Sequence, residues 1–415
     1  MNVDHDRLRR DLEANADFGG FETDDGPGRT VLTGSEADLH CRDRFVEALT
    51  AAGLEVRIDP VGNIAGRWVP DSANATAPPI AIGSHLDSVP KGGIFDGPLG
   101  VYGALEAVRA IQDGNKEPLH PIEVVSFTEE EGGRFEVGLL GSSVAAGDRP
   151  IDEALALTDD EGITLEDHLG AIGYRGKDTI DPSKWAVWGE LHIEQGKRLS
   201  SQGADVGVVE AISGITNCTV QFEGETNHAG TTPMGERQDA LTAAAELVLA
   251  VESSARERAA AEESSTVATV GKVDVTPNVR NTVPGKVSMT TDIRAIQGET
   301  IEAVLNEIRE TSEDIASHRP VTAVVMGYRH TAPTQLSAET FQVATDAIES
   351  RGLRWQRMHS GALHDTALIA DNTDAFLLFA PSKDGISHSP AEWTNWEDCA
   401  RATEALAATV LSLAT

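Results

Sequence analysis

Short apolar runs separated by polar, glycine-rich turns are the dominant pattern along this chain. Four of these runs are each followed by histidine, aspartate or glutamate side chains: residues 79–82, 122–128, 185–191 and 376–379. Each run has the length of a buried strand, and helical patterns lie between them. The pattern predicts an open α/β fold whose imidazole and carboxylate side chains collect at the carboxyl ends of the strands, where such sheets bind ligands.

Further elements are expected around these runs. Residues 5–16 and the segment that follows Ser35 have the apolar spacing of helices, and Ser35 is a good capping residue for the second. The remaining expectations are a hairpin at 54–58 and 64–68, a helix at 101–111, acidic surface helices around 151–171, a helix at 336–350, a strand at 374–380 and a last helix at 395–413.

The pattern changes near Gly214. Residues 216–222, 267–275 and 286–293 alternate like half-exposed strands, residues 240–261 and 301–316 have helical spacing, and a last strand is expected near 321–326. This strand–helix–strand–strand–helix–strand order is ferredoxin-like. We therefore predict a catalytic domain formed by residues 1–213 and 331–415, with an inserted α+β domain at 214–330.

Composition restricts the partners and the location of the protein. The 415 residues carry a net charge of −34 that is spread along the chain, which argues against nucleic acid and anionic membranes as partners. Dispersed acidity together with persistent apolar periodicity favours a folded protein adapted to high salt over a disordered acidic chain. The three cysteines form no C-x-x-C pair, and no signal peptide or membrane span is visible, so we expect a cytoplasmic protein.

Side chains of the metal-binding type follow the four runs. Imidazoles mixed with carboxylates suit zinc, with manganese or cobalt as alternatives. Four ligands would satisfy one structural zinc, whereas five with one bridging carboxylate suit two ions. Asp96, in a glycine-flanked loop, is the best bridge, and Asp87 is better placed to orient an imidazole than to bind metal. The candidate ligands are His85, Asp96, His192, His388 and one glutamate of the run 129–131.

The run of three glutamates at 129–131 offers both a ligand and a base. A carboxylate beside a liganding carboxylate is well placed to take a proton from a metal-activated water, so we assign Glu130 as general base and Glu131 as ligand. The alternative is that the run is merely an exposed acidic loop.

The chain resembles the zinc-dependent amidases related to aminoacylases and carboxypeptidase G, and most of all their hydantoinase/carbamoylase branch. The motifs that carry the resemblance are Gly83-Ser-His-Leu-Asp-Ser-Val, Gly-Gly-Ile-Phe-Asp96-Gly, Glu-Glu-Gly-Gly-Arg-Phe, Glu190-Leu-His-Ile-Glu-Gln-Gly and Ser387-His-Ser-Pro. The resemblance implies one metal held by His85, Asp96 and His192, and a second held by Asp96, Glu131 and His388. It also implies that Glu130 is the base.

The resemblance further implies that residues 214–330 form a lid that carries substrate groups and a homodimer surface. The matching positions are His228, Asn281 and Arg294, with Gln195 in the catalytic domain. Arg294 offers two parallel guanidinium N–H donors to a substrate carboxylate, and His228 offers a hydrogen-bond donor to the developing oxyanion. Read without the resemblance, Arg294 would be a surface ion pair, Asn281 a capped turn and His228 a core histidine.

The segment 360–366 departs from the family pattern. The family has a small residue before its His-Asp pair, whereas Leu363 stands there in this chain, before His364. The implied activity is hydrolysis of the carbamoyl group of an N-carbamoyl-L-amino acid or of allantoate. The alternatives are an aminoacylase or dipeptidase and, from another class, a non-catalytic binding or assembly protein that keeps the fold.

Overall fold

The computed structural model describes residues 1–261 and 266–415. The chain divides into two compact units: the first comprises Met1–Glu210, Leu336–Met358 and Leu363–Thr415, and the second comprises Ala211–Gln335 and His359–Ala362. The second unit is thus mainly one insertion into the sequence of the first. The domain boundaries at 213/214 and 330/331 stay a prediction.

The amino-terminal part of the first unit alternates helices and strands. Asp4 and Ser35 cap α1 and α2 by accepting hydrogen bonds from the backbone N–H groups of Arg7 and Asp38. The elements are α1 (His5–Ala16), β1 (Gly20–Thr23), β2 (Gly26–Arg29), α2 (Glu36–Ala51), β3 (Glu55–Ile58), β4 (Ile64–Trp68), β5 (Ile80–His85), α3 (Pro98–Asp113), β6 (Ile122–Phe127), α4 (Leu140–Ala146), α5 (Ile151–Leu155), α6 (Leu165–Ile172), β7 (Val187–Ile193), α7 (Arg198–Gln202) and β8 (Val206–Ile212).

The remaining elements complete both units. Those of the second unit are β9 (Gly214–Glu223), β10 (Asn227–His228), α8 (Ala240–Ala261), β11 (Val267–Thr276), β12 (Thr282–Val283), β13 (Lys286–Ala295), α9 (Gly298–His318), β14 (Thr322–Thr331) and β15 (Thr334–Gln335). The chain then returns to the first unit with α10 (Ala338–Ser350), β16 (Trp355–Ser360), α11 (Thr366–Ile369), β17 (Asp374–Ala380) and α12 (Trp396–Leu413).

The main sheet of the first unit has the strand order β8-β17-β7-β5-β6-β4-β3. Strands β17, β7, β5 and β6 are parallel neighbours, and β8 and β4 flank them antiparallel. Alternate residues of β5 enter different apolar clusters, because Ile80 and Ile82 pack in one and Ala81 packs in the other. Helices therefore cover both faces, which is the arrangement that parallel sheets require.

The parallel strands bring their carboxyl ends to one edge of the sheet. In the register of the sheet His85 lies beside Phe127, and His192 lies beside Phe379. Close strand packing explains the glycine at position 83, because a Cβ atom there would lie 1.9 Å from the carbonyl oxygen of Val125. Strand β7 runs on through His192 to Ile193, two residues beyond the predicted run 185–191, and β5 ends at His85, so Asp87 lies in a loop.

The second unit confirms the ferredoxin-like order. Its four-stranded antiparallel sheet has the order β11-β13-β9-β14, with α8 and α9 packed on one face. The residues of β13 alternate strictly between buried and more exposed, as expected for a sheet that is covered on one face. The mixed α/β architecture with an inserted α+β unit is thus as predicted. Within the described residues, no helix is long and apolar enough to cross a membrane.

Candidate metal centre

Histidine and acidic side chains converge at the carboxyl ends of the parallel strands of the first unit. His85 is the last residue of β5, His192 lies near the end of β7, and the run 129–131 follows β6 directly. Asp96 lies in the loop before α3, and His388 lies in the loop after β17. Two groups of ligand atoms result, each with its atoms within 4.8 Å of one another: His85, Asp96 and His192, and Asp96, Glu131 and His388.

The first group is fully buried around one oxygen of Asp96. Asp96 Oδ1 lies 2.9 Å from His192 Nε2 and 3.5 Å from His85 Nε2. Among the described residues, the buried Nε2 atom of His85 has no hydrogen-bond partner. A buried ring nitrogen that lacks a partner, next to an imidazole and a carboxylate, fits a divalent cation of the zinc type.

The second group uses the other oxygen of the same carboxylate. Asp96 Oδ2 lies 3.6 Å from His388 Nε2, and Glu131 Oε2 lies 3.3 Å from that same nitrogen. The His388 side chain is half exposed, whereas Asp96 is buried. Because Asp96 presents one oxygen to each group, its carboxylate has the arrangement of a ligand shared by two ions.

Carboxylates and imidazoles lie close together in the two ligand groups, and this proximity shifts the pKa values of their members. Burial alone would raise the pKa of Asp96, but the facing His192 and His85 imidazoles outweigh it and hold that pKa well below its usual range. Burial and the charge of Asp96 raise the pKa of Glu131 to about 8. Burial disfavours charge on His192, yet Asp96 raises its pKa to about 9. A bound cation would replace these protons, because it supplies the positive charge that they provide.

Glu130 lies beside the groups without belonging to either. Its Oε2 atom is 3.6 Å from His85 Nε2, and its side chain is 11% exposed. Burial, which His85 offsets only in part, raises the pKa of Glu130 well above its usual range, and repulsion from Glu131 adds to the effect. A carboxylate with an elevated pKa at the rim of such a site has the properties of a general base.

Asp87 connects the first histidine to the glutamate run. Its carboxylate oxygens accept hydrogen bonds from the backbone N–H groups of Glu130 and Glu131, both at 3.1 Å. Oδ1 also lies 3.6 Å from His85 Nδ1, the ring nitrogen that faces away from Asp96. The main-chain carbonyl of Asp87 is nearer to that nitrogen, at 3.2 Å, and the role of Asp87 in orienting the imidazole stays a prediction.

Gln195 contacts the shared carboxylate directly. Its Nε2 donates to Asp96 Oδ2 at 2.7 Å, and its backbone N–H donates to Ser382 Oγ at 3.1 Å. The backbone of Gln195 is left-handed, with φ +56°, as are those of Glu129 and His388, both at φ +55°. Such strained conformations in residues other than glycine cluster at functional sites.

Two buried carboxylates of the site, Glu392 and Glu190, had no role predicted from the sequence, and His364 was noted there without a role. Glu392 is buried next to Asp96, and Glu190 is buried on β7, beside β5, where it accepts hydrogen bonds from Ser84 Oγ and from Thr366. His364 is buried, with its ring centroid 4.5 Å from that of His192. Burial and the neighbouring His192 hold the pKa of His364 well below its usual range, so its imidazole is neutral.

The other predicted substrate residues lie in the second unit. His228 is exposed on β10, which pairs with β12, and the N–H of Ala229 donates to the carbonyl of Asn281. Arg294, on β13, pairs with Asp292 at 2.8 Å and donates to the carbonyl of Gly361 at 2.9 Å. Their roles toward a substrate stay predictions.

Comparison with known proteins places this site in a family. The model of peptidase family M20/M25/M40 matches residues 81–412, a stretch that contains both ligand groups. The chain belongs to this peptidase family. Members of the M20/M25/M40 family generally use divalent metal ions, in agreement with the donor groups described above.

Two curated relatives and one solved structure define the branch of the M20/M25/M40 family. The chain is 38% identical over 387 residues to the N-carbamoyl-L-amino-acid amidohydrolase of Paenarthrobacter aurescens, covering 92% of each chain. It is 34% identical over 399 residues to the allantoate amidohydrolase of Escherichia coli (strain K12), covering 95% of each. A hydantoinase/carbamoylase family amidase from Burkholderia multivorans superposes with a TM-score of 0.94 at 33% identity, over 100% of this chain and 98% of the other. The predicted resemblance is confirmed.

Proposed function

We propose that this protein hydrolyses the linear C–N bond of a carbamoyl (ureido) group, in an N-carbamoyl-L-amino acid or an allantoate-like substrate, with two divalent metal ions. The observation that carries the proposal is Asp96, whose two oxygens face two separate histidine-containing ligand groups beside a further carboxylate, Glu130. The activities named for the relatives support the choice of substrate class.

We assign His85, Asp96 and His192 to one ion, and Asp96, Glu131 and His388 to the other. Zinc is the metal we expect from the imidazole and carboxylate donors, with manganese and cobalt as alternatives. When bound, such ions polarise a substrate carbonyl and make water acidic enough to attack near neutral pH.

Glu130 handles the proton in this proposal. Its carboxylate accepts a proton from the water that attacks the carbamoyl carbon, and then delivers that proton to the leaving nitrogen. The Asp87 carboxylate keeps the Glu130 and Glu131 backbone in place, and the main-chain carbonyl of Asp87, 3.2 Å from His85 Nδ1, holds that ring with Nε2 toward Asp96. The products are ammonia, carbon dioxide and the free amine.

The second unit supplies substrate groups in this proposal. His228 donates to the developing oxyanion, Asn281 binds a polar oxygen of the substrate, and Arg294 binds its carboxylate. Arg294 Nε and Nη2 face Asp292 and Nη1 donates to Gly361, so part of its five-donor fork remains available. Gln195 contributes from the first unit, next to the shared ligand Asp96.

We further propose that the second unit is a lid and forms a homodimer. Strand β14 lies at the edge of its sheet, and its Val324 and Met326 side chains are exposed, 52% and 46%. An exposed edge strand with apolar side chains favours pairing with a second copy.

The test is a screen of substrates at high salt with added zinc, manganese or cobalt. We expect ammonia from N-carbamoyl-L-amino acids or allantoate, and none from the same protein with Glu130→Gln. Cleavage confined to N-acyl amino acids or dipeptides would instead identify an aminoacylase or dipeptidase. Failure of the metal-loaded protein to cleave any of these substrates would overturn the proposal.

A further inference from the structure

A buried carboxylate behind the candidate metal centre has no part in the chemistry proposed above. Glu392 is 1% exposed, and its Oε1 atom accepts hydrogen bonds from two successive backbone N–H groups, those of Phe95 at 3.0 Å and Asp96 at 3.1 Å. It therefore holds the main chain at the very residue whose carboxylate is shared between the two ligand groups.

The same carboxylate reaches the side chain of Asp96 through one hydroxyl group. Ser387 Oγ lies 2.8 Å from Asp96 Oδ2 and 3.1 Å from Glu392 Oε2. A hydroxyl has one proton to donate, and the shorter contact favours Asp96 as its acceptor. Gln195 Nε2 donates to the same Asp96 oxygen at 2.7 Å and lies 3.2 Å from Ser387 Oγ.

These three residues, Gln195, Ser387 and Glu392, are called the Asp96 clamp below. The loop that carries Asp96 is built around the clamp, because Gly93 lies against Glu392. A Cβ atom at Gly93 would lie 2.2 Å from Glu392 Oε1, which leaves no room for any larger residue unless the carboxylate moves.

We propose that Glu392 is a positioning residue for the shared metal ligand. It fixes the main chain at Asp96 and, through Ser387, steers Oδ2 toward the group of Glu131 and His388. The inference rests on the proposed two-metal site. Its physical basis is geometry: two backbone donors need an acceptor at Oε1, and Oε2 lies 3.1 Å from the hydroxyl group that donates to Asp96.

These contacts predict that Glu392→Gln keeps the zinc affinity of the wild type and that Glu392→Ala does not. An amide oxygen still accepts both backbone N–H groups, and the amide nitrogen donates to Ser387 Oγ, which leaves the hydroxyl proton directed at Asp96. Alanine removes all of these contacts. Ser387→Ala removes the steering hydroxyl alone and leaves the backbone contacts of Glu392 in place.

The experiment is a titration of the chelator-stripped full-length protein with zinc ions against a competing chromophoric chelator, giving stoichiometry and Kd. Removing groups that orient metal ligands commonly weakens metal binding by about 10–100-fold, the range we expect for Glu392→Ala, with about 10-fold for Ser387→Ala. Glu392→Gln should bind like the wild type. The rise in melting temperature caused by zinc provides a second readout that needs no turnover.

Glu194→Ala is the matched control. Glu194 is likewise a buried carboxylate that accepts two backbone N–H groups, but these belong to Arg198 and Leu199 at the start of α7. The Glu194→Ala substitution should lower the melting temperature and leave the Kd for zinc unchanged.

Wild-type affinity in Glu392→Ala, or equal losses in Glu392→Gln and Glu392→Ala, would overturn the inference. If the Glu392→Ala protein does not fold, the Ser387→Ala protein is the deciding variant. Wild-type zinc affinity in the Ser387→Ala protein would also overturn the inference. The proposed function fails separately: if the wild type binds two zinc ions and the variants lose affinity as predicted, but no ammonia is released from ureido substrates, the activity is refuted and the clamp is not.

Discussion

Replacing Asp87 by asparagine should loosen both the first histidine and the glutamate run. Each Asp87 oxygen accepts one backbone N–H, from Glu130 and from Glu131, at 3.1 Å. An asparagine has one oxygen and one NH2 group, so one backbone donor would face another donor. The substitution also removes the negative charge that lies 3.6 Å from His85 Nδ1.

The expected cost follows from these contacts. A hydrogen bond to a charged group contributes about 1.5–3 kcal/mol, and one such bond is lost while the other becomes neutral. Relief of repulsion between Asp87 and the neighbouring glutamates offsets part of this loss, so we expect the free energy of unfolding of the metal-free protein to fall by about 1–3 kcal/mol. Zinc affinity should fall by about 10–100-fold, because the backbone at Glu131 loses an orienting hydrogen bond and His85 loses a neighbouring negative charge, although its ring keeps the Asp87 carbonyl as partner.

Urea unfolding of the metal-free protein and zinc titration measure the two effects. Asp205→Asn is a suitable control, because Asp205 is a buried carboxylate that accepts from the Arg354 backbone at 2.9 Å and pairs with Arg354 and Arg401. The Asp205→Asn protein should have a lower free energy of unfolding and an unchanged zinc affinity. If Asp87→Asn leaves both the unfolding free energy and the zinc affinity unchanged, the orienting role of Asp87 is wrong.

Three further predictions follow from the site and from the charge. Glu130→Gln should lower kcat by at least about 10²–10⁴-fold with unchanged metal stoichiometry, measured by ammonia release and elemental analysis; near-normal kcat would refute the assignment. The raised pKa values of His192, about 9, and Glu131, about 8, mean that these groups are protonated in the metal-free protein at neutral pH. Metal binding must displace those protons. For each proton released, the zinc affinity should therefore rise about tenfold per pH unit between about pH 6 and about pH 8. A zinc affinity that does not change with pH would contradict this. With a net charge of −34, the melting temperature should rise between about 0.1 M and about 1 M KCl, as the screening length shrinks from about 10 Å to about 3 Å; an unchanged or lower value would contradict the predicted adaptation to high salt.

Much of the fold was predictable from local pattern. The bounds of α1 and β17 match the expected ones residue for residue, and α8 starts where expected, because apolar spacing marks these elements and Asp4 caps α1. The hairpin of β1 and β2 was missed, since its Gly-Phe-Glu-Thr and Gly-Pro-Gly-Arg sequences carry no alternating apolar pattern. Strands β8 and β16, which pair with each other, were missed as well.

The site was predictable where the residue type itself carries the chemistry. Histidines and carboxylates that follow apolar runs gave the set of candidate ligands, because parallel strands deliver such side chains to one edge, whereas their division into two groups came from the family resemblance. Glu392 was not identified, because its role depends on backbone N–H groups almost 300 positions away in sequence, which tertiary structure alone brings near. For the same reason the pairing of Arg294 with the carbonyl of Gly361 left no trace in the sequence.

The most direct test of the central claim is anomalous diffraction from crystals of the zinc-loaded protein, with data on both sides of the zinc absorption edge. The account predicts two anomalous peaks on either side of the Asp96 carboxylate. One should be bound by His85 and His192, the other by Glu131 and His388. A single peak that does not touch Asp96, or no peak near these side chains, would contradict it.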